Sequence, residues 1–97
     1  MKSLEEIETI LRAHKDELRE KYRIKELGLF GSVVRGEHKR GSDVDILVDF
    51  DQAPDLLKFC EVEIYLEKIL RQKVDLVRKP ALRPELRDQI LSEARYI

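Results

Sequence analysis

The chain has one cysteine, no tryptophan, three prolines and four glycines among its 97 residues. Cys60 alone can make neither an internal disulfide nor a multi-cysteine zinc site. No run approaches the length of apolar sequence a membrane span needs. The start, Met1 to Glu6, lacks the apolar stretch of a signal peptide. These absences point to the cytoplasm. An excess of one charge is missing too: 19 Lys and Arg face 20 Asp and Glu, a net charge of −1. A duplex-binding module usually carries a clear basic excess, so no strong DNA-binding signal is present. With 42% apolar residues in periodic array, the chain is not a disordered one. The length fits a single domain over residues 1–97 with one small core.

The periodicity predicts helices alternating with short strands. Ser3 to about Arg23 reads as one amphipathic helix with Leu4, Ile7, Leu11, His14 and Leu18 on its stripe. Ser3 and Glu6 form a capping-box pattern at its start. Ile24 to Phe30 reads as a strand, Val33 to Gly36 as a helical turn, and Glu37 to Ser42 as a polar loop. Asp43 to Phe50 is the clearest strand, β-branched and bounded by turn residues. Asp55 to about Arg71 reads as a second long helix, with Pro54 at its first turn and Leu56, Leu57, Cys60, Ile64 and one of Leu66 or Ile69 facing inward. Lys73 to Arg78 is a further strand, Pro84 to about Ala94 a third helix carrying Leu86, Ile90 and Leu91, and Arg95 to Ile97 a final extended piece. The expected class is α/β (α+β): a sheet flanked by helices in a two-layer sandwich.

The chemistry concentrates between residues 31 and 45. A strand ending in Gly31-Ser32 and turning into a helix presents free backbone amides, which suit a phosphate. Gly31 lets the backbone approach closely, Ser32 adds a hydroxyl, and Arg35 lies one turn on with a guanidinium that forks onto phosphate oxygens. Asp43 and Asp45 are two apart on a strand and share a face, while Val44, Ile46 and Val48 point to the core. Paired carboxylates of this kind suit Mg²⁺, which takes a few carboxylates and the phosphate oxygens of a substrate. An EF-hand fails, because Leu47 stands at the third ligand position. Asp75 interrupts the apolar strand Val74, Leu76, Val77, and supplies a third carboxylate if that strand lies beside the first two. Three carboxylates beside a phosphate-binding turn can hold two metal ions. His14, Cys60, Tyr22, Tyr65 and Tyr96 read as packing residues, and His38, Lys39 and Arg40 as a solvated loop.

Gly31-Ser32-x-x-Arg35-Gly36 followed by Ser42-Asp43-x-Asp45 resembles the signature of the DNA polymerase β-type nucleotidyltransferase superfamily. The short chain is similar to its minimal branch, the MNT antitoxins that pair with HEPN-domain toxins. The resemblance implies a mixed sheet. It implies that Gly31 and Ser32 hold nucleotide phosphates, that Arg35 contacts phosphate, that Asp43 and Asp45 ligate metal, and that Asp75 completes the metal set and activates the acceptor hydroxyl. It further implies ATP as substrate, Mg²⁺ as cofactor and transfer of AMP to a tyrosine of the HEPN toxin. The core motifs use about half of the chain, so an acceptor-binding second domain is not expected. Two other readings remain at this point: an antitoxin that masks its toxin without catalysis, and an enzyme acting on a small molecule.

Overall fold

The capping box forms as its residues dictate. The Ser3 hydroxyl accepts from the Glu6 amide at 3.2 Å, and the Glu6 carboxylate accepts from the Ser3 amide at 3.1 Å. The computed structural model describes residues 2–97. From that cap runs helix α1 (Leu4–Ala13), then helix α2 (Lys15–Tyr22). The single long helix expected from the periodicity is therefore broken at His14, whose backbone leaves the helical region at φ −106°, ψ 9°. His14 Nδ1 lies 2.8 Å from the Ile10 carbonyl, and the bend lets Leu11 and Leu18 both bury fully.

Strand β1 (Ile24–Phe30) follows, then the four-residue helix α3 (Ser32–Arg35), strand β2 (Val44–Phe50), helix α4 (Leu56–Leu70) and strand β3 (Val74–Arg78). A short 3-10 turn (Lys79–Ala81), helix α5 (Pro84–Glu93) and strand β4 (Arg95–Tyr96) complete the chain. The sheet runs β3-β2-β1-β4. β1 pairs antiparallel with β2 and β4, whereas β2 and β3 are parallel. A parallel pair cannot be joined by a tight turn, and α4 supplies the crossover. The result is the mixed sheet of an α+β fold.

One sheet face carries the main core. Leu27, Leu29, Val44, Ile46, Val48, Val74 and Leu76 pack there against Ile7, Leu11 and Leu18 of α1 and α2 and Val62, Leu66 and Leu70 of α4. The opposite face is not bare. Phe30 and Leu47 bury there under Leu82, with Ile90 and Leu91 of α5 and Ala94 just after it packed alongside. Glu8, buried on α1, is ion-paired to Arg12 at 3.2 Å and to Arg95 of β4 at 3.4 Å, which fastens the last strand to the first helix.

Helix α4 corrects the expectation drawn from its sequence. Leu56, Leu57 and Ile64 are 77%, 73% and 63% exposed, and Cys60 is exposed as well. The buried stripe is Val62, Leu66 and Leu70, joined by Phe59, Tyr65 and Ile69. The helix is apolar around most of its circumference, so periodicity offers two stripes, and docking against β3 and α1 selects one. Leu86 of α5 is also exposed. Pro54 precedes the helix instead of occupying its first turn, because Asp55 is the N-cap and accepts from the Lys58 amide at 2.8 Å.

This distinction is testable. Leu66→Ala empties a fully buried position and is expected to destabilise the fold by about 2–5 kcal/mol. Leu57→Ala on the exposed stripe is expected to stay within about 0.5 kcal/mol. Urea denaturation of the two variants measures the difference, and equal losses would place Leu57 in the core.

Candidate active site

β1 ends at Phe30 and the chain reverses at Gly31, whose φ of 75° and ψ of −150° lie in a region open essentially to glycine alone. The Val34 and Arg35 amides return to the Gly31 carbonyl at 3.1 and 3.2 Å, closing α3. Gly36 ends that helix in the left-handed conformation. Ser32 is the first residue of α3 and is partly exposed. Gly31 has a second constraint: a Cβ there would overlap the Asp45 carboxylate. The turn and the acidic strand are thus in direct contact.

On β2 the side chains alternate as predicted: Val44, Ile46 and Val48 are buried in the main core. Asp45 faces the other way and is half-buried. Asp43 lies just before β2, exposed, where the loop arrives, and not on the strand itself as its spacing from Asp45 predicted. That loop is held by Ser42, whose hydroxyl accepts from the Lys39 amide at 3.0 Å while its own amide donates to the Lys39 carbonyl at 2.9 Å. The parallel register pairs Asp45 with Asp75 directly, so β3 brings Asp75 to the same face, as its interruption of the apolar strand suggested. Phe30, next to Gly31, pairs with Asp45 from the other side.

Negative charge is concentrated here. Partial burial raises the Asp45 carboxyl above its ordinary pKa, with Asp75 and then Asp43 adding to the shift, while Arg35 opposes it. Among the described residues, no three or more His, Cys, Asp or Glu side chains are gathered so as to hold a metal ion. Asp45 and Asp75 are therefore register partners on the sheet with Asp43 an electrostatically coupled neighbour before β2, and the three are not a closed ligand cluster. Like charges hold such groups apart unless a cation draws them in.

Two carboxylates that the motif did not flag bind Arg35. Glu93, at the end of α5, accepts from the Gly31 amide at 2.7 Å and from Arg35 Nη1 at 3.0 and 3.1 Å. Glu37 accepts from Arg35 Nε at 3.0 Å. Both carboxylates, Glu93 foremost, raise the Arg35 pKa above its ordinary value. Glu93 lies 58 residues from Arg35 along the chain, and no local pattern marks it. Asp43 and Asp75 are exposed, so the acidic face is open to a large partner.

The chain is 56% identical over 97 residues to protein adenylyltransferase MntA of Thermococcus cleftensis, covering 100% of this chain and 98% of that one. Its fold is similar to a solved minimal nucleotidyltransferase, with a TM-score of 0.74 at 38% identity over 92% of this chain and 93% of that chain. It is also similar to a chain of a toxin–antitoxin crystal structure with AMP-PNP, with a TM-score of 0.72 at 26% identity over 93% of this chain and 70% of that one. The nucleotidyltransferase domain family matches residues 11–97, a span that holds the Gly31-Ser32 turn and all three aspartates, and the chain belongs to that family.

Proposed function

We propose that residues 1–97 form one minimal nucleotidyltransferase domain that acts as a protein adenylyltransferase antitoxin in the cytoplasm. It transfers AMP from ATP to a tyrosine of a HEPN-domain toxin. The observation that carries this reading is the pairing of Asp45 with Asp75 across β2 and β3, in contact with the Gly31 turn. The similarity to a named protein adenylyltransferase supports the reaction class. The similarity to a chain of a toxin–antitoxin crystal structure with AMP-PNP supports ATP as donor and a toxin as acceptor.

In this reading the Gly31 amide, the Ser32 hydroxyl and Arg35 hold the β- and γ-phosphates through charge-assisted hydrogen bonds. That grip orients the α-phosphorus toward the open acidic face and stabilises pyrophosphate as it leaves. Asp75 accepts the proton of the acceptor hydroxyl as its oxygen attacks the α-phosphorus in line. Asp43, Asp45 and Asp75 would hold Mg²⁺, in two ions, and their hard oxygen donors and mutual repulsion fit a divalent cation. When bound, the cations neutralise phosphate charge and sharpen the acceptor oxygen as a nucleophile. The exposure of Asp43 and Asp75 suits an acceptor carried on a second protein.

Asp75→Asn keeps the side-chain size and removes the charge. It is expected to leave toxin binding unchanged and to lower AMP transfer by about 10²–10⁴-fold. The measurement is the intact mass of the toxin after incubation with ATP and Mg²⁺, together with growth rescue of toxin-expressing cells. Wild type should add one or more AMP units and the variant none. Rescue by the variant with unmodified toxin would establish masking instead of catalysis.

A further inference from the structure

The groups that the proposed reaction uses to hold phosphate already hold an anion. Glu93 Oε1 accepts from the Gly31 amide at 2.7 Å and from Arg35 Nη1 at 3.0 Å. Its Oε2 lies 3.1 Å from the same Arg35 nitrogen. The Glu93 side chain is 19% exposed, against 44% for Arg35, so the carboxylate is the inner partner of the pair. A carboxylate bound by one backbone amide and one guanidinium meets the same donors, with the same charge sign, as a phosphate oxygen would. Both cannot occupy that place.

The backbone that carries Glu93 is fixed independently of these contacts. Glu93 ends α5, and two residues later β4 pairs with β1 through Leu29–Arg95 and Gly28–Tyr96. The Ile97 amide also donates to the Leu27 carbonyl at 2.8 Å. Leu91 and Ala94 on either side pack against the cluster of Phe30, Leu47 and Leu82. With the backbone held on both sides, the carboxylate leaves by rotation of its own side chain.

We propose that Glu93 is an internal anion that occupies the phosphate subsite and sets the affinity of this chain for polyphosphate ligands, which bind by displacing its side chain. The proposal rests on the nucleotide reading of the Gly31-Arg35 site. A competitor tethered to its own site lowers apparent affinity by the fraction of time that the site is free. Two charge-assisted contacts keep that fraction small, so removing the carboxylate is expected to tighten binding by about tenfold. Because the competitor leaves whichever ligand enters, the factor should be the same for any ligand that uses the subsite.

The test titrates wild type, Glu93→Gln and Glu93→Asp with ATP and with inorganic tripolyphosphate, by calorimetry and by the amide resonance of Gly31 in a ¹⁵N spectrum. Gln keeps the shape without the charge, and Asp keeps the charge but is one methylene shorter. Melting curves establish that each variant is folded. Both variants should bind both ligands about tenfold more tightly than wild type, with the Gly31 resonance moving on binding. Unchanged or weaker binding of both ligands by the variants would overturn the proposal and make Glu93 a support for Arg35, while ATP binding by wild type left the nucleotide reading standing. Tighter tripolyphosphate binding by the variants, with no ATP binding by any form, would keep Glu93 as the occupant of an anion site and overturn the nucleotide reading. A Gly31 resonance that moves with neither ligand in any form would overturn both.

Discussion

Asp45→Asn is expected to reduce AMP transfer by about 10³-fold while raising the melting temperature of the nucleotide-free protein. Asp45 is the half-buried member of the acidic set, paired with Asp75 and in contact with Gly31. In the proposed reaction it fixes the cation against the phosphates, an effect of several kcal/mol in the transition state. At 1.36 kcal/mol per decade this gives the rate loss. The stability change has the opposite sign. Burial, Asp75 and Asp43 all raise the Asp45 pKa, so its ionised form disfavours the folded state. The wild-type protein therefore loses stability as pH rises through that raised value, and the Asn variant does not.

The gain should be present at neutral pH and vanish in acid, once the wild-type carboxyl is protonated. A like-charged pair directly opposite on adjacent strands costs about 0.2–1 kcal/mol, which is a rise of roughly 1–8 °C for a domain of this size. Calorimetric melts at neutral and acid pH without divalent cations, combined with the toxin mass assay, measure both effects. A melting temperature that falls at neutral pH would show that Asp45 holds the turn together rather than straining it. Wild-type transfer would remove Asp45 from the mechanism.

Gly31→Ala is expected to damage both stability and activity. The backbone at φ 75°, ψ −150° costs a side chain about 1–3 kcal/mol. The added Cβ also overlaps the Asp45 carboxylate, and such overpacking costs about 1–3 kcal/mol more. Together they lower the melting temperature by roughly 10 °C or more. A double-mutant cycle separates the two contributions. In an Asp45→Ala background the overlap with the carboxylate is gone and the backbone strain remains, so the Gly31→Ala penalty should shrink without vanishing. In an Asp45→Asn background, where the shape is kept, it should persist in full. Phosphate contact at the Gly31 amide should be lost in the folded fraction, read as failure of ATP to bind. A Gly31→Ala protein with wild-type stability and ATP binding would show that the turn relaxes freely.

Much of this architecture was legible in the residues themselves. Ser3 with Glu6 announced the first helix, because the cap is a local exchange of hydrogen bonds between neighbours. The β-branched run from Val44 to Phe50 and the interrupted apolar run from Val74 to Arg78 announced two strands, and the alternation along β2 already separated the core side chains from Asp45. Gly31, Ser32, Arg35, Asp43 and Asp45 fall within fifteen residues, so their grouping needed only a strand, a turn and a second strand. The roles proposed for them rest on that motif and on the family it belongs to.

Contacts between distant segments were decided by the tertiary structure. The periodicity of α4 allowed Leu57, Cys60 and Ile64 as an inner stripe as readily as Val62, Leu66 and Leu70, and only the surfaces of β3 and α1 chose between them. The break at His14 accompanies the burial of Leu11 and Leu18 on either side of it, which the periodicity alone did not mark. The sequence marked Asp75 as a candidate, but the parallel register of β2 and β3 set it beside Asp45. Glu93 carried no local mark at all. Its carboxylate reaches Gly31 and Arg35 because β4 pairs with β1 and sets the end of α5 beside the Gly31 turn. Local sequence fixes dihedral angles, caps and periodicity, whereas a side chain from 58 residues away meets its partner only when the sheet closes.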